Sequence, residues 1–231
     1  MEIKISANSE RNAVNAEDAA LAEVDRLNKI LSGYDNSSEF SRWMKADKKP
    51  IAVSTQLYEV LSLFEQWRIK SSGALDASAE TISKLWRDAG KQNRVPASAE
   101  IINAVKLVRK QHYILNEQDH TAQRFDDAPL ILNSFAKSYI MNKAANAVLA
   151  SGGVAGVVVN IGGDILVLVS IMNRSMLAIL KRMRRTIHRW HGSKSITRLL
   201  QPAVTTGAVN LLEVKGIHIL LTPVPEYLQA G

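Results

Sequence analysis

The 231-residue sequence contains no cysteine, which excludes disulfides and metal sites built on thiolates. It shows no cleavable signal sequence either, because Met1 runs straight into E-I-K-I-S, whose alternation predicts a strand. No internal repeat is present. The glycine pair Gly162-Gly163 lacks the G-x-G-x-x-G spacing of a dinucleotide-binding loop, so that class of site is not indicated.

Acidic residues are nearly missing from the last part of the chain. Residues 1–164 carry 20 Lys+Arg and 20 Asp+Glu, whereas residues 165–231 carry 9 and 2, so the net charge of +7 lies in this tail. A basic tail can bind nucleic acid, but residues 174–198 match no helix-turn-helix or sheet pattern, and no nucleic-acid partner is expected. His188 and His191 have a helical ligand spacing without a nearby carboxylate, so chance explains them more simply than a metal site.

A transmembrane helix is the alternative for the apolar run from Gly153 to Met172. Such a helix would hold the carboxylate of Asp164 and a glycine pair near its middle, at a cost of about 3 kcal/mol. The β-branched valines before Asn160 and the glycines after it favour a strand, a tight turn and a second strand. The sequence therefore predicts a hairpin here.

Helices and strands alternate irregularly through the first 165 residues, which predicts the α+β class. The apolar spacing and capping residues predict five helices. The first covers 16–31 after the cap Asn15, and the second follows the cap Ser54 with Leu57, Leu61, Phe64 and Trp67 on one face. The third is capped by Ser78 and reaches Trp86, the fourth is capped by Ser98, and the fifth covers 134–150. Strands are predicted at 51–53, 112–115 and 121–125. The polar stretch 34–42 is predicted to be a loop.

Two residues of this part have the chemistry of a binding site. Asp76 ends the G-A-L-D stretch before a predicted helix, where an aspartate most often caps the helix. Lys137 lies in the first turn of another helix, where a cation opposes the helix dipole unless it faces an anion held by the helix N-terminus. A solvated surface lysine is the alternative, and neither residue is specific alone.

Five blocks in one order resemble the FAD:protein FMN transferases, the ApbE-type flavin transferases. They are E-V-D-R-L-N-K-I-L-S-G-Y-D-N-S-S-E-F-S-R at 23–42, S-S-G-A-L-D at 71–76, K-L-W at 84–86, F-A-K-S-Y-I at 135–140 and V-N-I-G-G-D-I at 159–165. The resemblance implies the ApbE-type α+β fold and an enzyme that moves FMN from FAD, its substrate, onto a threonine or serine hydroxyl of a target flavoprotein. It further implies release of AMP and a need for Mg²⁺.

The resemblance also implies roles for particular residues. Six are expected to contact FAD: Tyr34, Ala74, Leu75, Asp76, Lys137 and Asn142. The backbone carbonyl of Ser134 is expected to be one metal ligand. The sequence departs from the family where Ile131 replaces an acidic residue, Ser138 a glycine and Asn142 an aspartate, and the N-terminal G-T-x motif is missing. Family members are typically periplasmic proteins or inner-membrane lipoproteins, although this chain shows no anchor.

The family's later motifs, A-V-A-T-S-G and the H-S-H-I segment with the expected base, are missing, so no catalytic residue is assigned. Each can be read, with a suitable choice among synonymous codons, when the last base of every codon is joined to the first two of the next, at Arg198–Val204 and Gly216–Leu228. This predicts a reading-frame slip between about Leu166 and Leu177. Residues 1–165 are then a partial flavin transferase domain and residues 166–231 an out-of-frame, poorly ordered tail. The chain is expected to be impaired, and a non-catalytic FAD-binding remnant is the alternative.

Overall fold

The structure is a computed structural model that describes residues 1–169 and the strand segments 210–214 and 217–221. The chain divides into two compact units. The first contains Met1–Asp25 and Ile140–Gly231, and the second contains Arg26–Tyr139. The boundaries between the units fall inside two long helices.

The described residues form helices and antiparallel strands, as the α+β prediction requires. The helices are α1 (Glu10–Leu31), α2 (Glu39–Lys45), α3 (Thr55–Lys70), α4 (Glu80–Lys91), α5 (Ser98–Val108) and α6 (Asn133–Ala150), and a single 3-10 turn covers Ala77–Ala79. The strands are β1 (Glu2–Ala7), β2 (Ile51–Ala52), β3 (Tyr113–Asn116), β4 (Thr121–Arg124), β5 (Val154–Ile161), β6 (Asp164–Val169), β7 (Asn210–Val214) and β8 (Ile217–Leu221).

The first unit contains an antiparallel sheet in the order β1-β5-β6. The predicted hairpin at the V-V-V-N-I-G-G-D stretch is confirmed, since β5 and β6 pair directly around the turn at Gly162-Gly163. Both glycines have positive φ, 58° and 93°, which suits the turn of a tight hairpin. A separate antiparallel pair, β7-β8, also belongs to this unit.

The core of the first unit joins the sheet to α1 and α6. Small residues of the helices, including Ala16, Ala20 and Ala144, are fully buried with Val157 and Val159 of the central strand. Small side chains let the helix backbones approach the sheet closely, and the β-branched valines fill the pleated surface between them. This packing explains why the valine run lies in the centre of the sheet.

The second unit contains the antiparallel sheet β2-β4-β3. The predicted hairpin of β3 and β4 is confirmed. Helix α3 buries Leu57, Leu61 and Phe64 as its spacing predicts, but Trp67 is 45 % exposed. The predicted cap is also present, because Ser54 Oγ accepts a hydrogen bond from Leu57 N at 3.3 Å.

Four local predictions were wrong. Ser98 is the first residue of α5 and not its cap, which is Ala97. Helix α1 begins at Glu10 rather than residue 16, because Ser9 Oγ accepts a hydrogen bond from Asn12 N at 3.2 Å and so caps it earlier. The expected loop at 34–42 contains the start of α2, whose cap is Ser38. The predicted cap Ser78 lies inside the 3-10 turn that precedes α4, and the residue that caps this turn is Asp76.

The polar stretch before Lys45 forms a helix because two aromatic residues anchor it. Phe40 and Trp43 of α2 are buried, and Trp43 Nε1 donates a hydrogen bond to the carbonyl of Ala122 at 3.1 Å. A buried indole that also finds an acceptor stabilises its segment through both apolar burial and hydrogen bonding. The serines and asparagine that suggested a loop occupy the capping turn.

No helix in the described part of the chain is long and apolar enough to cross a membrane. The apolar run that raised this alternative forms strands β5 and β6 over residues 154–169.

Candidate functional site

Tyr34 lies beside the first residue of α6. Asn133 Nδ2 donates a hydrogen bond to the Tyr34 hydroxyl at 3.0 Å, although the residue is 82 % exposed. The backbone before the ring is also fixed, because Ser32 Oγ accepts hydrogen bonds from Tyr34 N at 3.2 Å and Asp35 N at 3.1 Å. Tyr34 is therefore held next to the helix turn that contains Ser134 and Lys137.

The loop with Ala74, Leu75 and Asp76 leaves the end of α3 through a left-handed turn. Ser72 has φ 52°, and Gly73 N donates to the carbonyl of Arg68 at 2.8 Å, the bond that closes a Schellman motif. Ser71 Oγ then accepts from Leu75 N at 2.9 Å. These bonds fix the loop backbone from α3 to Asp76.

Asp76 caps the 3-10 turn that follows the loop. Its Oδ1 accepts hydrogen bonds from Ser78 N at 2.7 Å and from Ser78 Oγ at 2.6 Å. The capping interpretation of Asp76 is thus confirmed, and the carboxylate is half-buried and held in one orientation. Its predicted contact with FAD stays a prediction.

The same loop is tied to the start of α6. Ile131 N donates to the carbonyl of Ala77 at 2.9 Å, just before the helix begins. Phe135, in the first turn of α6, packs edge-on against Phe64 with ring centroids 4.7 Å apart, and also contacts Trp67. Within the second unit, the structure therefore connects Tyr34, the loop of Asp76 and the helix turn of Ser134 and Lys137.

Arg68 is a cation at this site that the sequence reasoning missed. Its guanidinium donates two hydrogen bonds to Glu65, at 2.6 and 2.9 Å. This pairing, with smaller contributions from Asp76 and Tyr113, raises the pKa of Arg68 above its ordinary value. From the sequence, the spacing of Glu65 and Arg68 predicts only an ion pair between neighbouring turns of one helix. The electrostatic interaction of Arg68 with Asp76 depends on the fold and could not be predicted in this way.

Tyr113 forms the buried side of this cluster. Its hydroxyl donates to the carbonyl of Leu61 at 2.9 Å, and burial raises the pKa of the Tyr113 phenol well above its ordinary value. The phenol therefore stays protonated and connects β3 to α3. It acts as a fixed support beneath the site.

Asn142 belongs to the first unit. It lies further along α6, and its Oδ1 accepts a hydrogen bond from Asn146 Nδ2 at 3.0 Å. Asn146 Nδ2 also donates to the backbone carbonyl of Asn142, at 2.8 Å. The predicted contact of Asn142 with FAD stays a prediction.

The described residues include no group of three or more His, Asp or Glu side chains arranged to hold a metal ion. The Ser134 carbonyl is one backbone oxygen at the exposed start of α6. Mg²⁺ binds about six oxygens in near-octahedral geometry, so the residues described do not fit a complete Mg²⁺ site. His188 and His191 lie outside the described residues.

The sequence profile of the ApbE family matches residues 1–179. The chain belongs to the ApbE family. A FAD:protein FMN transferase of Vibrio cholerae is 28% identical over 150 residues, which cover 62% of this chain and 44% of that protein. The chain thus spans about half the length of the relatives it matches.

Solved ApbE structures share the fold. The flavin transferase ApbE from Vibrio cholerae has a TM-score of 0.54 and 27% identity, covering 71% of this chain and 53% of that one. The apo flavinyl transferase ApbE of Pseudomonas stutzeri has a TM-score of 0.57 at 22% identity, covering 71% and 54%. The α+β fold predicted from the five sequence blocks is therefore confirmed as the ApbE fold.

Proposed function

We propose that this chain is an FAD:protein FMN transferase by descent, which transfers FMN from FAD to a threonine or serine hydroxyl of a target flavoprotein. The observation that carries the proposal is the pair of hydrogen bonds that bring family-matching segments together. Asn133 Nδ2 bonds the Tyr34 hydroxyl, and Ile131 N bonds the carbonyl of Ala77 beside Asp76. The matching block 23–42 and the residue that follows the block 71–76 are thus bonded to the residues just before the block 135–140, at the start of α6.

The start of α6 suits the anionic part of FAD. The positive end of its dipole favours a diphosphate, and Lys137, the fifth residue of the helix, adds a positive charge near that end. A bound diphosphate would explain why a lysine lies near the N-terminus of this helix, where a positive charge is otherwise unfavourable. The positive charge of Arg68, which is paired with Glu65, also interacts with the carboxylate of Asp76 in the adjoining loop.

The transfer requires the acceptor hydroxyl oxygen to attack the phosphorus atom of the FMN half. A new P–O bond forms, the bond to the AMP phosphate breaks, and the hydroxyl proton passes to a base. The described residues hold and orient the dinucleotide, whereas no base is assigned among them. A bound Mg²⁺ would supply charge stabilisation on the phosphate oxygens.

The chain in this form is proposed to be impaired, with residues 166–231 as an out-of-frame ending. Support comes from the shifted reading that synonymous codons of Gly216–Leu228 allow, H-S-H-I-L-D-P-R-T-G-[IV]-P, together with the basic composition of the tail. The nucleotide sequence of codons 166–177 tests it directly. An uninterrupted frame shared by close relatives with the same tail would contradict it.

The activity is tested by incubating the purified chain with FAD, MgCl₂ and a candidate flavoprotein that has an accessible threonine. Release of AMP together with covalent yellow colour on the acceptor indicates transfer. The matched control is Lys137→Ala, which removes the charge at the helix start and should abolish any AMP release. Binding of FAD without AMP release would indicate the second candidate, a non-catalytic FAD-binding protein, whose expected binding residues Tyr34, Asp76 and Lys137 lie in the described part of the chain.

A further inference from the structure

His112 lies buried just before β3, and only one of its two ring nitrogens has a partner. The side chain is 4 % exposed, and Nδ1 lies 2.9 Å from Oδ2 and 3.0 Å from Oδ1 of Asp126. The other nitrogen, Nε2, is buried and has no hydrogen-bond partner in the part of the chain that the structure describes. A buried polar atom without a partner destabilises the conformation that buries it, and the cost grows when the atom carries a charge. The protonation state of this ring therefore affects the stability of the fold around it.

The pairing with Asp126 decides where a second proton binds. Burial acts to raise the pKa of the Asp126 carboxyl, but hydrogen bonds from Ala128 N and the imidazole outweigh burial and hold that pKa below its ordinary value. The ionised carboxylate only accepts hydrogen bonds, so neutral His112 carries its proton on Nδ1. A second proton then binds at Nε2 and makes it a charged donor without an acceptor. The gain in the pair with Asp126 is small by comparison, because that carboxylate is 42 % exposed and water screens its charge.

The surrounding charges also oppose a protonated His112. Arg124 is buried, and its Nη2 donates a hydrogen bond to the carbonyl of Asp126 at 2.7 Å. The positive charge of Arg124 already interacts with the Asp126 carboxylate. The other charged side chains on the segments that meet here are exposed: Lys48, Arg109, Lys110 and Asp127. Protonation would therefore leave two buried cations that share one carboxylate.

The loop after β4, residues 125–132, connects the buried histidine to the candidate site. Phe125 N donates to the carbonyl of His112 at 2.8 Å, at one end of the loop. Near the other end, Ile131 N donates to the carbonyl of Ala77, in the 3-10 turn, at 2.9 Å. Helix α6 follows directly. A change that frees the loop at His112 therefore acts on the segment that attaches the 3-10 turn to α6.

We propose that His112 is a pH-sensitive latch, whose protonation releases the 125–132 loop and weakens the attachment of the 3-10 turn to the start of α6. Opening of the loop gives Nε2 access to water, which relieves a larger cost for the charged ring than for the neutral ring. Acid therefore favours the open form, and one proton taken up on opening changes the ratio of open to closed by up to about tenfold per pH unit. Histidine changes its charge between about pH 5 and pH 8, so the latch acts in that range.

The latch regulates the candidate site, and this part of the inference rests on the proposed function, because FAD is the ligand whose binding is measured. The loop of Asp76 and the first turns of α6 are the parts proposed to hold FAD. Release of the 125–132 loop should therefore weaken FAD binding at acidic pH. The opening itself is measured without FAD, so the two failures are distinguishable.

Hydrogen exchange of the Phe125, Ala128 and Ile131 amides in the full chain tests the latch at about pH 7.5 and about pH 5.5. Each exchange rate is divided by the rate of the same amide in an unstructured peptide at the same pH. Protection in the wild type should fall at least about fivefold at the lower pH. The loss should follow the NMR titration of the His112 ring and not that of the His120 ring.

Two variants separate the latch from a general effect of acid. His112→Asn cannot titrate, but its amide nitrogen lies where Nδ1 lies and still donates to Asp126, so its protection should not fall at the lower pH. His120→Asn is the matched control. His120 is exposed in the turn between β3 and β4 with φ 49°, a conformation that asparagine adopts readily, so this variant should keep the pH dependence of the wild type.

Isothermal titration with FAD at the same two pH values measures the regulation. The affinity of the wild type should fall at the lower pH by about fivefold more than the affinity of His112→Asn.

The possible outcomes have separate consequences. Unchanged protection of the three amides in the wild type, or an equal loss in His112→Asn, overturns the latch. A loop that opens in acid while FAD affinity changes equally in both proteins overturns the regulation of the site. A wild type that binds no FAD at either pH, with a loop that still responds to pH, overturns the proposed function and supports the latch.

Discussion

Asp76 has a structural role and a proposed functional role, and one substitution separates them. Its Oδ1 accepts two hydrogen bonds from Ser78, which an asparagine oxygen can also accept. Asp76→Asn should therefore leave the urea unfolding midpoint nearly unchanged, whereas Asp76→Ala should lower the free energy of unfolding by about 1 kcal/mol. If the carboxylate contacts FAD, Asp76→Asn should weaken FAD binding by about tenfold. If isothermal titration finds the same affinity for FAD in Asp76→Asn as in the wild type, capping is the only role of Asp76.

Gly153 is required where the end of α6 turns into β5. It has φ 67°, and an added Cβ would lie 2.1 Å from Asn12 Nδ2 and 2.8 Å from Asn8 Oδ1. Those two atoms are hydrogen-bonded to each other at 2.7 Å, so neither moves without losing that bond. Gly153→Ala should lower the free energy of unfolding by about 2–3 kcal/mol through clash and backbone strain.

The neighbouring Gly152 is the matched control for this substitution. It also has positive φ, 82°, but nothing lies within 4 Å of its added Cβ, so Gly152→Ala has only the backbone cost of about 1 kcal/mol. Adding Asn12→Ala to Gly153→Ala should recover part of the loss, as measured by urea unfolding. Equal costs for the two glycines would show that the close approach has no energetic effect.

At the scale of elements, the hairpin of β3 and β4 has a pH-sensitive connection to the loop after it. His112 Nδ1 contacts Asp126 at 2.9 Å, and Asp126 Oδ1 accepts from Ala128 N at 3.0 Å. Burial acts to raise the pKa of Asp126, but these hydrogen bonds, together with the charge of Arg124, outweigh it and hold that pKa below its ordinary value of 3.8. The ionised carboxylate therefore favours the folded state.

A folded-state pKa below the unfolded value means that this stabilisation is present above pH 3.8 and is lost as the pH falls further. Asp126→Asn should thus be less stable than the wild type at neutral pH, and the difference should shrink as the pH falls below that value. Thermal unfolding between pH 7 and about pH 3 measures it. The control is Asp127→Asn, whose exposed pair with Lys48 should matter little in high salt. A pH-independent difference for Asp126→Asn would contradict the assignment.

Element type was predictable where a long stretch repeats one period. The apolar spacing of α3 and the valines of β5 define their elements locally, and both predictions hold. Helix α2 was missed because its stability comes from burial of Phe40 and Trp43 against distant residues, while its own first turn reads as a loop. The same limit applies to the site, since the bond between Tyr34 and Asn133 and the interaction of Arg68 with Asp76 depend on the fold.

For the whole molecule, the proposed frame slip makes a direct prediction about activity. A one-base correction within codons 166–177 should replace the basic ending with the H-S-H-I segment, which brings the expected base. The corrected protein should release AMP from FAD in the presence of MgCl₂ and an acceptor, where the present chain releases little, a difference of at least about a hundredfold for a lost base. AMP is measured by chromatography.

The control for this comparison is the corrected protein with Lys137→Ala, which should lose the recovered activity. A corrected protein that is no more active than the present chain would count against the slip. Strong AMP release by the present chain would count against its proposed impairment while leaving its place in the ApbE family intact.

The sheet of the first unit pairs the beginning of the chain with a strand synthesised much later. Strand β1 bonds to β5, with Ile3 opposite Val159 and Ile5 opposite Val157, and Ala16 and Ala20 share a core with those valines. On the ribosome, the first 25 residues must wait for residues 140–169 to emerge, whereas Arg26–Tyr139 is complete earlier. During that interval the leading strand and the apolar face of α1 are open to chaperones and proteases, so nascent chains halted before Val154 should be degraded much faster than those that extend past Val169.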